Sequence, residues 1–277
     1  PESQTLWNEL QCRDKLRQPL QQQQQQLEPL CSDTYQQEFR NESKRRIDEL
    51  YNMYEGQRCV LVANGPSLNK MKWDWQDKFN VIMGMNKIYL GFERYNITKM
   101  NLYGACNPLV VEQSRDELWG TATQLSEMDK FIRDTPELFP CNTTNKRLHY
   151  TPSTGEMVFS TDPKLGLNEG WTVTYWSLQV LWWVGCSKVY IIGMDHNFQQ
   201  TGPPNQLQNM VGADPNHFDP SYFQGNNWHL ADLAKTTHHY KIANDFFLEH
   251  GRKIYDATPG GKCDIFEKVD WETALYE

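Results

Sequence analysis

The sequence is poor in the signals that announce a metal site, a membrane span or a nucleic-acid partner. Its seven cysteines, Cys12, Cys31, Cys59, Cys106, Cys141, Cys186 and Cys263, never form a C-x-x-C pair and are irregularly spaced. Spacing therefore predicts neither a zinc site nor a disulfide framework, but scattered buried thiols. No apolar run reaches the ~18 residues of a membrane span. The most apolar stretch, Val173 to Val184, is shorter and interrupted by Thr174, Ser177 and Gln179. No signal-peptide pattern opens the chain. Because it starts at Pro1, a removed N-terminal anchor, and with it membrane association, stays an expectation. Excess basic charge is also lacking. The net charge of −8 excludes a nucleic-acid binder that works through bulk electrostatics, so an anionic substrate needs a local site. Neither a G-x-G-x-x-G nor a G-x-x-x-x-G-K-S/T loop occurs.

What is present is an aromatic-rich chain. Hydrophobic residues make up 39 % of the 277, and ten are Trp, enough for a sizeable core once the first fifty residues are set aside. Residues 1–33 form a Gln-rich arm with six consecutive glutamines, Gln21 to Gln26. Such a segment buries too little apolar surface to make a core of its own. Residues 34–277 form the folded domain. Sequons stand at Asn41, Asn96 and Asn142. They suggest a lumenal protein only weakly, since a chain rich in Asn, Ser and Thr carries such triplets by chance. The compartment is left between a reducing cytosol, which suits unpaired thiols, and a Golgi lumen, if the arm is the stem of a removed anchor.

From Ser32 to Tyr54 the apolar positions fit one helix face, with Gly56 as the stop. Arg58 to Ala63 reads as a buried strand running into a tight Asn64-Gly65-Pro66 turn. Further strands are expected at Asn80 to Met85, Met100 to Ala105, Lys188 to Gly193 and Lys253 to Ala257. Trp171 to Val184 reads as a buried helix stopped by Gly185, and Ala231 to His250 as an amphipathic one stopped by Gly251. Residues 198–228 are rich in Gly, Pro, Asn and Gln and lack periodicity, the texture of a functional lid. The fold class is therefore α/β: a Rossmann-like, largely parallel sheet with helices on both faces and a lid after the fourth strand.

Ligands of such sheets bind beyond the carboxyl ends of the strands. The polar residues of interest all sit there: Asn64, Gly65 and Ser67, then Asn86, Asn107 and Asp195-His196. Gly65 allows close backbone approach, Ser67 can cap the next helix, and free N–H groups at the turn would suit a phosphate. A structural turn looks much the same. Asn86 and Asn107 can donate to and accept from a base or sugar, or simply close turns. Asp195 can hold a ribose, a metal or a reacting hydroxyl, or cap a helix. Gly260-Gly261-Lys262 reads as a turn in preference to a phosphate contact.

In order along the chain stand VANGPSL (62–68), MNKIYL (85–90), NPLVVEQ (107–113), GWTVTYWSLQ (170–179), KVYIIGMDHNF (188–198), DPNHFDPSYF (214–223), NWHL (227–230) and GRKIYDATPGGK (251–262). Together they resemble a bacterial family of uncharacterised proteins related to the archaeal 6-hydroxymethylpterin diphosphokinase. More distantly they are similar to the bacterial lipooligosaccharide sialyltransferases, which use CMP-sialic acid. The resemblance covers roughly residues 45–271. It implies a single Rossmann-like domain with a flexible lid, and a transfer that needs no metal. It also implies that Asn64, Gly65 and Ser67 bind the CMP moiety, and that Asn86 and Asn107 contact nucleotide and donor sugar. Thr172 matches the first residue of a donor-contacting Thr-Ser pair whose second place is Val173 here. Asn197 occupies the place of one phosphate-holding tyrosine, and Tyr222 in the lid is the candidate for the other. The base of the sialyltransferases is a His after the lid. His229, His238 and His239 are the candidates here, with His229 preferred, while His239 reads as a core or supporting residue.

Three functions are consistent with this reading. The first is a metal-independent glycosyltransferase that moves a sugar of the sialic-acid or related type from a CMP-linked donor to a hydroxyl acceptor, with His229 as general base and no further cofactor. The second is a Mg²⁺-dependent diphosphokinase acting on a pterin-like alcohol, which needs clustered acids around Asp195. The third is a nucleotide-binding module without turnover in glycan assembly, with the Gln-rich arm as its partner-binding element.

Overall fold

The structure, a computed structural model, describes residues 31–276 apart from 121–122, 139–140, 142, 144 and 156. The Gln-rich run, Cys12 and the sequon asparagine Asn142 lie outside the described residues. The chain opens with α1 (Asp33–Glu49), capped by Ser32, whose hydroxyl accepts from the Tyr35 N–H. It ends earlier than the sequence pattern suggests. Its inward face is Gln36, Ser43, Arg46 and Ile47, while Tyr51 lies past the helix end, exposed and packed on Trp183.

Next come β1 (Arg58–Val62), β2 (Val81–Met85), β3 (Leu102–Ala105), α2 (Pro108–Gln113), α3 (Arg115–Trp119), β4 (Asp129–Arg133), β5 (Leu148–Thr151), β6 (Ser153–Thr154) and β7 (Leu167–Asn168). The second half holds α4 (Val173–Trp183), β8 (Lys188–Ile192), β9 (Leu207–Asn209), β10 (Asn227–His229), α5 (Leu233–Glu249), β11 (Lys253–Asp256), β12 (Glu267–Lys268) and α6 (Trp271–Tyr276). Eight strands make one sheet in the order β12-β11-β8-β1-β2-β3-β4-β5, with every neighbouring pair parallel. The parallel α/β class expected from the strand–helix alternation is what the chain adopts. The strand before the presumed lid is the eighth, however, not the fourth. β4 and β5 carry charged and polar residues such as Lys130 and His149 among their apolar ones and do not read as apolar runs.

β1 is the centre of the sheet and shows why it is buried on both sides. Cys59 and Leu61 face one core, with Tyr175, Trp176 and Leu178 of α4 and Tyr240, Ala243 and Phe247 of α5. Val60 and Val62 face the other, with Trp75, Phe79, Phe92, Val110, Val111 and Leu118. Side chains alternate across a strand, so a continuously apolar strand fills both layers. From β1 the chain builds outward to β5. It then returns through α4 to lay β8 on β1's other side, so β1 and β8 flank the switch point where the strand order reverses.

The thiols are a correction. Cys31 is bridged to Cys141, and Cys59 to Cys186, leaving Cys106 and Cys263 as buried free thiols among the described residues. The partners are 110 and 127 residues apart, so no local spacing announces them. Adjacent parallel strands join Cys59 in β1 to Cys186 just before β8, a pairing that follows from sheet order and not from sequence distance.

Residues 198–230 are not a bare loop. β9 and β10 form an antiparallel hairpin. Phe218, Tyr222, Phe223, Trp228 and Leu230 are buried in the same core as Val60 and Val62. The Phe218 N–H also donates to the Asn64 carbonyl at 2.9 Å, fixing the segment to the end of β1.

Candidate active site

A cavity of about 520 Å³ opens at the carboxyl ends of β1, β2, β3 and β8, over the switch point, where ligands of such sheets bind. It is lined by nine of the ten residues singled out from the sequence: Asn64, Gly65, Asn86, Asn107, Thr172, Asp195, Asn197, Tyr222 and His229. The exception is Ser67, which is fully buried beneath the turn and reaches no part of the cavity.

The turn after β1 departs from the phosphate-cradle expectation. The Gly65 N–H donates to the Gly193 carbonyl at 2.8 Å. The Ser67 N–H donates to the Asp195 carboxylate at 3.2 and 3.3 Å, and its hydroxyl donates to the same group at 2.6 Å. Pro66 has no N–H. The protein's own carboxylate therefore occupies the place where an anion would bind, and the Gly65 and Ser67 amides are both engaged within the protein. Asp195 acts as the clamp of the turn, tying the end of β8 to the end of β1. Its backbone carbonyl accepts from the Lys262 N–H at 2.9 Å, so the Gly260-Gly261-Lys262 stretch is the structural turn expected of it.

Three amide side chains, of Asn64, Asn86 and Asn107, contribute to this wall. The Asn64 side-chain N–H donates to the Met85 carbonyl at 3.1 Å, which fixes the amide and leaves Oδ1 buried without a partner. Asn86 sits in the left-handed region at φ 48°, and its Oδ1 is also buried and unpartnered. Its backbone carbonyl accepts from the Tyr103 hydroxyl, which holds the turn in that conformation. An unmet buried acceptor costs about 1–3 kcal/mol. Two such acceptors, on residues that line one cavity, have no donor among the described residues. Asn107 is used differently: its Oδ1 accepts from the Leu109 N–H at 2.9 Å and caps α2, with Pro108 in the first turn.

Thr172 caps α4 by accepting from the Thr174 N–H at 3.3 Å. The cap and first turn of this 11-residue helix line the cavity, so the site has a helix amino terminus, though not the one expected. Asn197 is exposed at the rim. Tyr222 does not match the role of a phosphate ligand. It is buried, and its hydroxyl accepts from the Lys87 N–H at 3.2 Å, so it braces the Asn86 turn from below.

The histidines sort by environment. His229 lies on β10 and lines the cavity, exposed, its ring with no hydrogen-bond partner among the described residues. His239 is buried, bonded through Nδ1 to the Lys235 carbonyl and packed edge-on to Tyr175. His238 does not line the cavity.

The cavity brings forward three residues to which the sequence reading gave no role in the site, although His196 stood among its strand-end residues. His217 is held through Nδ1 by the Asp214 carboxylate at 2.8 Å and lies flat on Tyr222, with ring centroids 3.9 Å apart and planes 4° apart. Asp214 is wholly buried, so the pair presents one oriented imidazole whose Nε2 has no partner among the described residues. The D-P-N-H spacing carried that signal in the sequence. His196, at φ 51°, bonds through Nε2 to the Thr237 hydroxyl at 2.9 Å, and burial pulls its pKa down, which favours the neutral ring. Trp171 stands 48 % exposed at the rim with φ 61°, a strained conformation for a bulky residue, and the Lys235 ammonium lies 3.7 Å above its ring. Among the described residues no group of three or more His, Cys, Asp or Glu side chains is arranged to hold a metal ion.

No family model matches the chain, and no curated protein does. Among solved structures it is similar to a mammalian sialyltransferase in complex with Gal-beta-1-3GalNAc-ortho-nitrophenol, at 14 % identity and a TM-score of 0.35 over 80 % of each chain. A second mammalian sialyltransferase structure matches at 13 % identity and a TM-score of 0.37, over 80 % of this chain and 79 % of that one.

Proposed function

We propose that the chain is a glycosyltransferase that moves a sugar of the sialic-acid or related type from a CMP-linked donor to a hydroxyl of a glycan acceptor. The observation that carries this reading is the pair of buried, unpartnered amide oxygens on Asn64 and Asn86, two residues that line the switch-point cavity. Acceptors so placed suit the amino group of cytosine and the hydroxyls of a ribose or donor sugar. The sequence resemblance supplies the nucleotide class. In this account Gly65 lets the turn close on the Asp195 carboxylate and so sets the position of Asn64; Asn107 and Asn197 line the path of the nucleotide, and the first turn of α4 behind Thr172 faces its phosphate.

The acceptor hydroxyl enters from the mouth, where His229 takes its proton. The acceptor oxygen bonds to the anomeric carbon, the bond from that carbon to the CMP phosphate breaks, and CMP leaves with the electron pair. His217, deeper and held by Asp214, is suited to donate to the departing phosphate oxygen. Asp195 and Tyr222 act as positioning residues for the turns around Asn64 and Asn86. The metal-free form of the reaction is favoured over a Mg²⁺-dependent diphosphokinase because the best-placed acid, Asp195, is engaged by Ser67. In the account, His229→Ala loses transfer by about 10²–10⁴-fold and keeps its affinity for CMP. Full activity in that variant refutes His229 as the base. Activity lost in EDTA and restored by Mg²⁺ favours the kinase, and CMP binding without any turnover favours the non-catalytic module.

A further inference from the structure

The two disulfides and one of the sequons lead to a conclusion independent of the reaction. Four of the six described cysteines are bridged, and both bridges join segments more than a hundred residues apart in sequence. Cys31–Cys141 fastens the start of α1 to the loop before β5, and Cys59–Cys186 fastens β1 to the segment leading into β8. Stable pairs of this kind belong to chains that fold where thiols are oxidised. Each bridge gives up two electrons and two protons from a thiol pair, taken up by a disulfide-bearing oxidoreductase of such a compartment.

In that setting the sequons gain weight, and they are not equivalent. Asn96-Ile97-Thr98 lies on a tight turn between β2 and β3. Asn96 is in the left-handed region at φ 49°, and both Asn96 and Thr98 are exposed. The turn is held by its backbone: the Asn96 N–H donates to the Glu93 carbonyl at 3.2 Å, the Asn96 carbonyl accepts from the Gln76 side chain at 3.1 Å, and the Thr98 N–H donates to that side chain at 3.0 Å. These bonds leave the Asn96 amide and the Thr98 hydroxyl pointing outward without partners among the described residues. Asn41-Glu42-Ser43 is the contrast. It is wound into α1, its amide oxygen accepts from Gln37 at 3.0 Å, and the Ser43 hydroxyl is buried and accepts from the Tyr150 N–H at 2.9 Å.

We infer that the chain matures in an oxidising, N-glycosylating compartment and that Asn96 is a site of N-linked glycan attachment. One bond forms, from Asn96 Nδ2 to the anomeric carbon of an oligosaccharide carried on a lipid diphosphate. The sugar–phosphate bond breaks, the lipid diphosphate leaves with the electron pair, and the amide proton passes to the base of the oligosaccharide transferase. Gln76 anchors the turn near the start of β2, at the end of the sheet opposite the cavity, so the glycan leaves the cavity mouth open.

The test is to produce the full chain in the secretory pathway of eukaryotic cells behind a supplied signal peptide, and the same chain in a reducing cytosol. Peptide mass spectrometry without reductant is expected to show the 31–141 and 59–186 links, and amidase release is expected to convert Asn96 to Asp. Thr98→Ala abolishes that conversion with Asn96 intact, and Thr98→Ser restores it. The reduced chain is expected to melt roughly 10 °C or more below the oxidised one. Recovery of Asn96 unmodified overturns the glycan site. Equal Tm for reduced and oxidised chains, or all four cysteines free, overturns the oxidising compartment.

Discussion

Gly65→Ala tests the construction of the site with a single methyl group. Gly65 has φ −73°, a conformation open to any residue, so the substitution meets no backbone penalty and its effect is purely steric. A Cβ at this position lies 1.9 Å from Asp195 Oδ2 and 2.6 Å from the Gly193 carbonyl oxygen. The carboxylate can swing away only by giving up its bonds to the Ser67 N–H and hydroxyl. The Gly193 carbonyl is backbone at the end of β8 and is itself bonded to the Gly65 N–H, so β1 and β8 must part. Overpacking of this kind costs about 1–3 kcal/mol, and loss of a hydrogen bond to a charged group about 1.5–3 kcal/mol. The sum predicts about 2.5–6 kcal/mol of destabilisation, read as a fall in the urea midpoint at unchanged slope. Because Asn64 moves with the turn, CMP affinity should fall at least about tenfold, or about 1.4 kcal/mol. Adding Asp195→Ala removes the 1.9 Å contact but not the one to Gly193, so the double variant should recover part of the loss, with a coupling of about 1 kcal/mol or more. Wild-type stability and CMP affinity in Gly65→Ala, or strict additivity in the double variant, refutes the reasoning.

Three further outcomes follow from the same geometry. His217→Ala should lower kcat by at least about tenfold, and Asp214→Asn, which keeps the shape but not the charge, should lower it less. Steady-state kinetics with KM unchanged in both variants checks the assignment. Trp171→Ala should raise the KM for a glycan acceptor at unchanged CMP affinity, if the exposed ring at the mouth is an acceptor platform. Finally, His149 and His196 both have pKa values lowered, first by burial, with Asp129 partly opposing it at His149. Their folded pKa values lie below the unfolded value, so the unfolded chain binds more protons. Stability is full above about pH 6.5 and is lost as pH falls below it toward the folded values. Tm measured from pH 7.5 to pH 5 should therefore decline, and His149→Asn should flatten the decline.

The central strands and the location of the cavity were legible in the sequence because they depend on local patterns. β1 and β8 are unbroken apolar runs, and the polar residues at their ends fall at one edge of any parallel sheet. The amide positions at Asn64 and Asn86 were found for the same reason. Long-range pairing was not legible. Ser67 and Asp195 are 128 residues apart, and only the adjacency of β1 and β8 lets the carboxylate occupy the turn's amides and displace the expected phosphate cradle. The two disulfides were missed on the same ground. Tyr222 reads as a lid tyrosine until its burial beneath the Asn86 turn is seen. His217 reads as one more lid histidine until Asp214 and the Tyr222 ring are seen to fix it. The segment from 198 to 230 lacks periodicity because its aromatic anchors, Phe218, Tyr222, Phe223 and Trp228, reach the core from irregular backbone and not from one face of a helix or strand.

The most direct test of the central claim is calorimetric titration of the chain with CMP in EDTA, alongside CDP, UDP, GDP and ATP with and without Mg²⁺. The account predicts saturable CMP binding without metal, weakened at least about tenfold by Asn64→Ala or Asn86→Ala. Binding of ATP that requires Mg²⁺, with none of CMP, contradicts it.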